Sequence, residues 1–429
     1  MKRMKTYKPR ILDDLLARKL QGMGAVLIEG PKWCGKTTTA EQIAKSVLYM
    51  DDPKKRKSLL SLAETDPGAL LDGGRPRLLD EWQRAPQLWD AVRFSVDHCA
   101  EWGQFILTGS SVPPRTDEIF HTGTGRIARL SMRTMSLWES GESSGTVRLS
   151  ELFENGGTAG GAECTDRTLA ETAFLACRGG WPQAVRQAGE TALDRAFDYC
   201  DAVAGSDVSR VEPSIRSSER IRRLMGSFAR LQGSQAGLAT IKKDLAANDE
   251  PTLDETTVSN YLRALKKIFV VEDMPAWCPN LRSKTPIRTS DTRYFADPSI
   301  ATASLGLGPG DLMNDLPSFG LFFETMAVRD LRVYADALGG SVFHYKDASG
   351  LECDAVVHRR NGSYGLVEIK LGGDRLIDSG AASLLRLAAR IDTTSMKPPS
   401  FKMVLTATGD RAYPRPDGVF VCPLAALRP

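Results

Sequence analysis

AVLIEGPKWCGKTTTAEQIA, residues 25–44, decides how this chain is read. A short apolar run ends in a glycine, and Gly30-Pro31-Lys32-Trp33-Cys34-Gly35-Lys36-Thr37 fits the pattern G-x-x-x-x-G-K-[ST] without a gap. A helix-like segment, Thr37 to Ser46, follows, so the stretch predicts strand, loop and helix. In that setting the glycines let the backbone curl until its N–H groups face inward. Those donors and the positive end of the helix dipole hold phosphate oxygens. The nucleotide-binding set is therefore Gly30, Pro31, Lys32, Trp33, Cys34, Gly35, Lys36, Thr37 and Thr38. Lys36 reaches the β- and γ-phosphates, and the Thr37 hydroxyl ligates Mg²⁺. ATP and Mg²⁺ are the expected cofactors.

Outward from the loop, strand-like runs recur at 47–51, 77–80, 104–109 and 126–132, with helical patterns between several of them. Alternating strands and helices imply an α/β fold with a parallel sheet covered on both faces. Leu78-Leu79-Asp80-Glu81 is an apolar strand ending in two acids. Asp80 suits the carboxylate that holds Mg²⁺ through water, and Glu81 the base that orients the attacking water. An acidic pair at a strand end also caps a following helix, but beside the loop the metal and base roles take precedence. The strand FILTGS, 105–110, ends in small polar residues, and Thr108 or Ser110 can sense the γ-phosphate; ordinary turn chemistry gives the same residues. Arg126 opens the fifth strand and reads as a surface ion-pair residue rather than an arginine finger.

IEGPKWCGKTT, RLLDEWQ and FILTGSS together closely resemble a bacterial and archaeal family of AAA-type ATPases. GGWP at 179–182 and YFADPS at 294–299 extend the resemblance over nearly the whole chain. It implies a five-stranded AAA core, followed by helices, a winged helix and a C-terminal domain, without fixing a biological role.

The last part holds a second constellation. A helix, 319–338, precedes three strand candidates at 341–347, 353–359 and 364–371. Asp354 lies in the second, and Glu368-Ile369-Lys370 in the third. Residues 368 and 370 of a strand share a face, and a neighbouring strand brings Asp354 beside them. Two acids and a lysine there bind Mg²⁺ and position a water, as phosphodiester cleavage needs. The arrangement resembles the PD-(D/E)xK nuclease motif, although Cys353 stands where a proline is usual. The resemblance implies Glu324, Asp354 and Glu368 as metal ligands, with Lys370 as the water-positioning base, in a restriction-endonuclease-like domain. Acids and lysines also alternate on ordinary edge strands, so a complete motif does not prove cleavage.

Between these ends, three short helices and a hairpin over 219–300 describe a winged helix-turn-helix. TTVSNYLRALKK would be its recognition helix, offering Thr257, Ser259, Asn260 and Arg263. Arg216, Arg220, Arg222, Arg223 and Arg230, with Lys242 and Lys243, form a basic cluster suited to phosphates or simply to solvent. Residues 140–165 are rich in Gly, Ser and Glu and read as loop or linker. The expected domains are an ATPase domain over 1–140, a helical region over 166–218, the winged helix over 219–300 and the nuclease-like domain over 315–429.

Composition limits the alternatives. A chain of 429 residues exceeds one ordinary core. A net charge of +3 decides nothing about partners. No apolar run approaches the roughly 20 residues that span a bilayer, and no apolar stretch follows the basic N-terminus, so neither membrane nor secretion is expected. Eight scattered cysteines and four dispersed histidines argue against a zinc site or disulfide framework and for a reduced, cytoplasmic protein. The expected partner is nucleic acid, DNA by preference, with a protein partner or self-association also open. The favoured function is ATP hydrolysis gating a metal-dependent nuclease. The alternative is a nucleotide-switched DNA- or protein-binding module whose nuclease fold is inactive.

Overall fold

Apolar side chains alternate in two sets along the N-terminal strands, and this alternation builds the first sheet. The computed structural model describes residues 7–99, 101–112, 122–157, 162–212, 214–215, 217–248, 254–278 and 289–429. They form two compact units. One comprises Met1–Thr134, Gly205–Arg216 and Arg263–Val270; the other comprises Met135–Ala204, Ser217–Leu262 and Val271–Pro429. Each unit is thus assembled from separate stretches, whereas the sequence suggests consecutive segments.

In the first unit, β1 (Ala25–Glu29), β2 (Ser46–Tyr49), β3 (Arg77–Asp80), β4 (Phe105–Gly109) and β5 (Ile127–Ser131) form one sheet in the order β2-β3-β4-β1-β5. Every pairing is parallel. Ala25, Leu27, Leu79, Phe105 and Leu107 pack with Leu88, Trp89 and Val92 on one face. Val26, Ile28, Leu78 and Ile106 pack with Leu12, Leu15 and Leu16 on the other. Successive side chains point to opposite faces, so a sheet covered on both sides needs apolar residues at consecutive positions. The helix after the loop is shorter than expected, Lys36–Glu41. The chain must resume as β2 at Ser46, and Lys45 N–H already bonds to the Pro76 carbonyl at 2.8 Å. Strand pairing overrides helix propensity there.

The second unit contains a seven-stranded mixed sheet. Its strands include β8 (Gly340–Lys346), β9 (Glu352–Arg359), β10 (Tyr364–Lys370), β11 (Phe401–Thr406), β12 (Arg411–Pro414) and β13 (Phe420–Pro423). β8, β9 and β10 pair antiparallel, while β10, β11 and β13 run parallel. The helix Asp374–Arg390 covers one face through Ile377, Ala381, Leu384 and Leu387, packed with Val356, Leu366, Val404 and Val421. The stretch 140–165 is not a linker. It holds β6 (Val147–Arg148), the helix Leu149–Asn155 and β7 (Ala162–Glu163). β6 pairs with β14 (Leu427–Arg428), and β7 extends the large sheet by pairing with β12. Two-residue strands carry no periodicity, so sequence reading passes over them.

The helices Ser218–Leu231, Leu238–Asn248 and Glu255–Lys267 precede single antiparallel bridges, Val271 to Phe295 and Met274 to Thr292. GGWP and YFADPS meet in the second unit. Gly180 N–H donates to Asp297 Oδ2 at 2.9 Å, and Trp181 Nε1 donates to Ser299 Oγ at 2.9 Å. Asp297 is fully buried and pairs with Arg329 at 3.1 Å; Arg329 also pairs with Asp330 at 2.7 Å. A Cβ on Gly180 would lie 2.1 Å from the Met135 carbonyl oxygen, so glycine is required there. Among the described residues no helix is long and apolar enough to cross a membrane.

Candidate functional site

The loop after β1 turns through left-handed backbone at Gly30 (φ +156°), Trp33 (φ +66°) and Gly35 (φ +107°). A Cβ on Gly30 would meet the Met132 carbonyl oxygen at 2.0 Å. The buried Lys36 folds back on the loop, its Nζ donating to the carbonyls of Gly30 (2.8 Å) and Pro31 (2.7 Å). Cys34 is buried inside the turn, and Arg10 braces it: Nη1 donates to the Cys34 carbonyl and Nη2 to the Arg133 carbonyl, each at 2.8 Å. Lys32 pairs with Asp207, which also has Arg210 at 3.8 Å. Trp33 is 46% exposed, and Thr38 is exposed at the start of the helix.

Parallel pairing brings the ends of β3 and β4 to this loop. Asp80 Oδ1 accepts from Thr37 Oγ1 and Thr108 Oγ1, both at 2.7 Å. A threonine hydroxyl touching a carboxylate is a hard-oxygen donor set that suits Mg²⁺. With the left-handed glycines and Lys36, the residues present fit a Mg²⁺-nucleotide. Thr108, read as a γ-phosphate sensor, instead holds Asp80, because parallel register sets it opposite that residue. Ser110, the other candidate sensor, donates to Glu81 Oε2 at 3.0 Å.

Glu81 has φ +57°, unusual for a residue with a side chain, and such conformations cluster at functional sites. Burial pushes its carboxyl above the ordinary range, and the charge of Asp80 adds to this. The Lys36 charge and the hydrogen bonds from Ser110 and Gln83 oppose the rise. Gln83 Nε2 donates to the same oxygen at 2.5 Å. Sequence reading missed Arg10, Gln83 and Asp207. No motif marks Arg10 or Asp207, which reach the loop only through the fold; Gln83 lies within RLLDEWQ but carries no chemical signal alone. Arg126 forms an ion pair with Asp97 at 2.6 Å.

In the second unit, Lys370 Nζ lies 2.9 Å from Asp354 Oδ2 and 2.7 Å from Glu368 Oε2. Ile369 N–H also donates to Asp354 Oδ2 at 2.7 Å. Glu324 accepts from the Tyr294 hydroxyl at 2.5 Å. Burial is the largest cause raising both Glu324 and Glu368, and Asp354 raises both further. Burial works against a charge on Lys370, but Asp354 and Glu368 outweigh it and hold the ammonium protonated. Among the described residues no three acids, histidines or cysteines form a group that could hold a metal ion. Glu324, Asp354 and Glu368 therefore do not form the expected ligand set in this arrangement: the ammonium stands between two of them and Tyr294 engages the third.

Three residues of the basic cluster of the middle region pair with acids. Arg222 pairs with Asp201, Arg223 with Glu219 and Arg230 with Asp244, at 3.0, 2.7 and 2.6 Å. Arg216 lies outside the described residues. Arg220, Lys243 and Arg263 are exposed; Lys242, Thr257, Ser259 and Asn260 are half-buried.

The sheet order, the loop and the Thr37–Asp80–Glu81 arrangement give the N-terminal part the features of an ATPase-like AAA domain, which supports nucleotide binding. Comparison with known proteins agrees: residues 23–140 match the family described as an AAA domain. Residues 170–311 and 319–427 match two families described as domains of unknown function, DUF8612 and DUF4143. The chain is 23% identical over 358 residues to uncharacterized protein Rv2008c of Mycobacterium tuberculosis and, equally, to uncharacterized protein Mb2031c of Mycobacterium bovis. Each alignment covers 83% of this chain and 72% of the relative. Among solved structures, a Walker-type ATPase of Pyrococcus abyssi is 15% identical, covering 70% of this chain and 97% of that one, with a TM-score of 0.42. The Aeropyrum pernix ORC1 protein in complex with DNA is 12% identical, covering 70% and 94%, with a TM-score of 0.23. At these TM-scores neither likeness carries an argument about this chain.

Proposed function

We propose that this protein is a Mg²⁺-dependent ATPase that acts on nucleic acid, DNA by preference. One observation carries the hydrolytic part: Thr37 and Thr108 converge on Asp80, with Glu81 next in the chain at the same strand end. Thr37, and Asp80 through water, would hold Mg²⁺, which would neutralise charge on the nucleotide's phosphates. Lys36 exchanges the carbonyls of Gly30 and Pro31 for phosphate oxygens. Glu81, raised by burial, takes a proton from the attacking water. Lys36→Ala is expected to abolish binding of a fluorescent ATP analogue and phosphate release together. A parent protein releasing no phosphate from Mg²⁺-ATP, with or without DNA or RNA, would refute the hydrolytic reading.

For the C-terminal domain we favour a nucleotide-switched binding role, toward DNA or a protein partner, on a nuclease-like fold. The observation behind this is Lys370 lodged between Asp354 and Glu368. A second reading, a metal-dependent nuclease gated by ATP, draws on the convergence of the same groups, and requires metal to displace the ammonium. A cleavage assay with Mn²⁺ separates the two. Under the nuclease reading the parent cuts DNA or RNA, and Glu368→Ala stops cutting while ATP turnover persists; under the binding reading no substrate is cut.

A further inference from the structure

Gln83 lies in the short turn Trp82–Arg84 directly after Glu81 and is 8% exposed. Its Nε2 donates to Glu81 Oε2 at 2.5 Å and lies 3.4 Å from Ser110 Oγ, which donates to the same carboxylate oxygen. One oxygen of the candidate base is thus fixed by two neutral donors. The other, Oε1, accepts no hydrogen bond among the described residues. Gln83 Oε1 is buried and also has no hydrogen-bond partner among the described residues. A buried amide oxygen left without a donor is costly and calls for a reason. Gly109 bounds the space beside it: a Cβ there would stand 3.2 Å from Gln83 Oε1 and 3.1 Å from Trp82 Nε1. Gly109 thus packs close against this turn, and the cost of the unpaired oxygen is borne where Nε2 holds Glu81.

We infer that Gln83 positions Glu81, the base that takes the proton of the attacking water in ATP hydrolysis. Its Nε2, with Ser110, fixes Glu81 Oε2 and so orients the carboxylate, leaving Oε1 for the proton. This rests on the hydrolytic reading above. In the step itself the water oxygen bonds to the γ-phosphorus as the bond from that phosphorus to the β,γ-bridging oxygen breaks. ADP leaves with the electron pair. One water proton passes to Glu81 and from there to the phosphate product; the other stays with the phosphate until solvent removes it. Gln83 changes neither its covalent nor its protonation state, so its contribution is orientation.

The test uses the full chain and three proteins: the parent, Gln83→Met and Gln83→Glu. Methionine keeps the volume and removes donor and acceptor. Glutamate keeps the size and exchanges the donor to Glu81 for a second carboxylate. Phosphate release from Mg²⁺-ATP, the affinity for a fluorescent ATP analogue and the thermal unfolding midpoint are measured on each. The expected result is a fall in kcat of about tenfold or more in both variants. ATP affinity stays within about threefold, because only transition-state orientation is lost. Unchanged kcat in both variants, against an active parent, overturns the inference. So does a loss of turnover matched by equal losses of affinity and unfolding midpoint in both variants, which marks a structural role. A parent without turnover removes the hydrolytic reading and this inference with it.

Discussion

Glu81→Gln tests the ATPase reading with little disturbance of the fold. The glutamine amide oxygen can still accept from Ser110 and Gln83, which now converge on Glu81 Oε2, and the side-chain volume is kept. The left-handed backbone at position 81 is unaffected, and Thr37, Lys36 and Asp80 are untouched. What disappears is the proton acceptor. General base catalysis contributes about 10²–10⁴-fold, or roughly 3–5 kcal/mol of barrier. Phosphate release should fall by that factor while a fluorescent ATP analogue binds as before. A second readout comes from stability. Burial raises the Glu81 carboxyl above its ordinary value of 4.5. A group raised on folding contributes stability that is complete below the ordinary value and is lost as pH rises through the raised one. Ionised Glu81 therefore opposes folding at neutral pH, and glutamine does not. The nucleotide-free variant should unfold at a higher temperature than the parent above the raised value, with the advantage vanishing below pH 4.5. Turnover equal to the parent's, with ATP binding intact, would refute the assignment of Glu81 as base.

Two further outcomes concern the second unit. Asp297→Ala leaves Arg329 with Asp330 as its remaining acid and Gly180 N–H without its acceptor. Breaking a buried pair costs about 3–5 kcal/mol, and calorimetry should show a lowered unfolding midpoint. Lys370→Met removes the counter-charge between Asp354 and Glu368, whose side chains are 17% and 5% exposed. The acids then repel once ionised, so the variant should lose stability relative to the parent as pH rises through the raised Glu368 value. A variant equally stable across that range would show that Lys370 does not hold the cluster together.

Much of the first unit was legible in the sequence because its signals are local. Alternation from Ala25 to Ile28 needs only consecutive residues, and Gly30 and Gly35 supply positive φ in the bend. Asp80 and Glu81 are neighbours in the chain, and β3 delivers both to one strand end. The C-terminal acids and lysine were equally visible. Their contacts were not, because the burial of Lys370 and its nearness to Asp354 and Glu368 come only with the packed chain.

The sequence by itself determined the strand–loop–helix that cradles phosphate, the strands of the parallel sheet and the residue types at both clusters, since each follows from spacing along the chain. Only the tertiary structure decided which atom each side chain touches. Thr108 turns to Asp80 and Ser110 to Glu81 because parallel register sets β4 beside β3. Arg10 and Asp207 reach the loop from distant parts of the chain, as Arg329 reaches Asp297. Such pairings are set by burial, where an unpaired charge costs more than the ordering of two long side chains, and burial belongs to the packed chain rather than to any stretch of it.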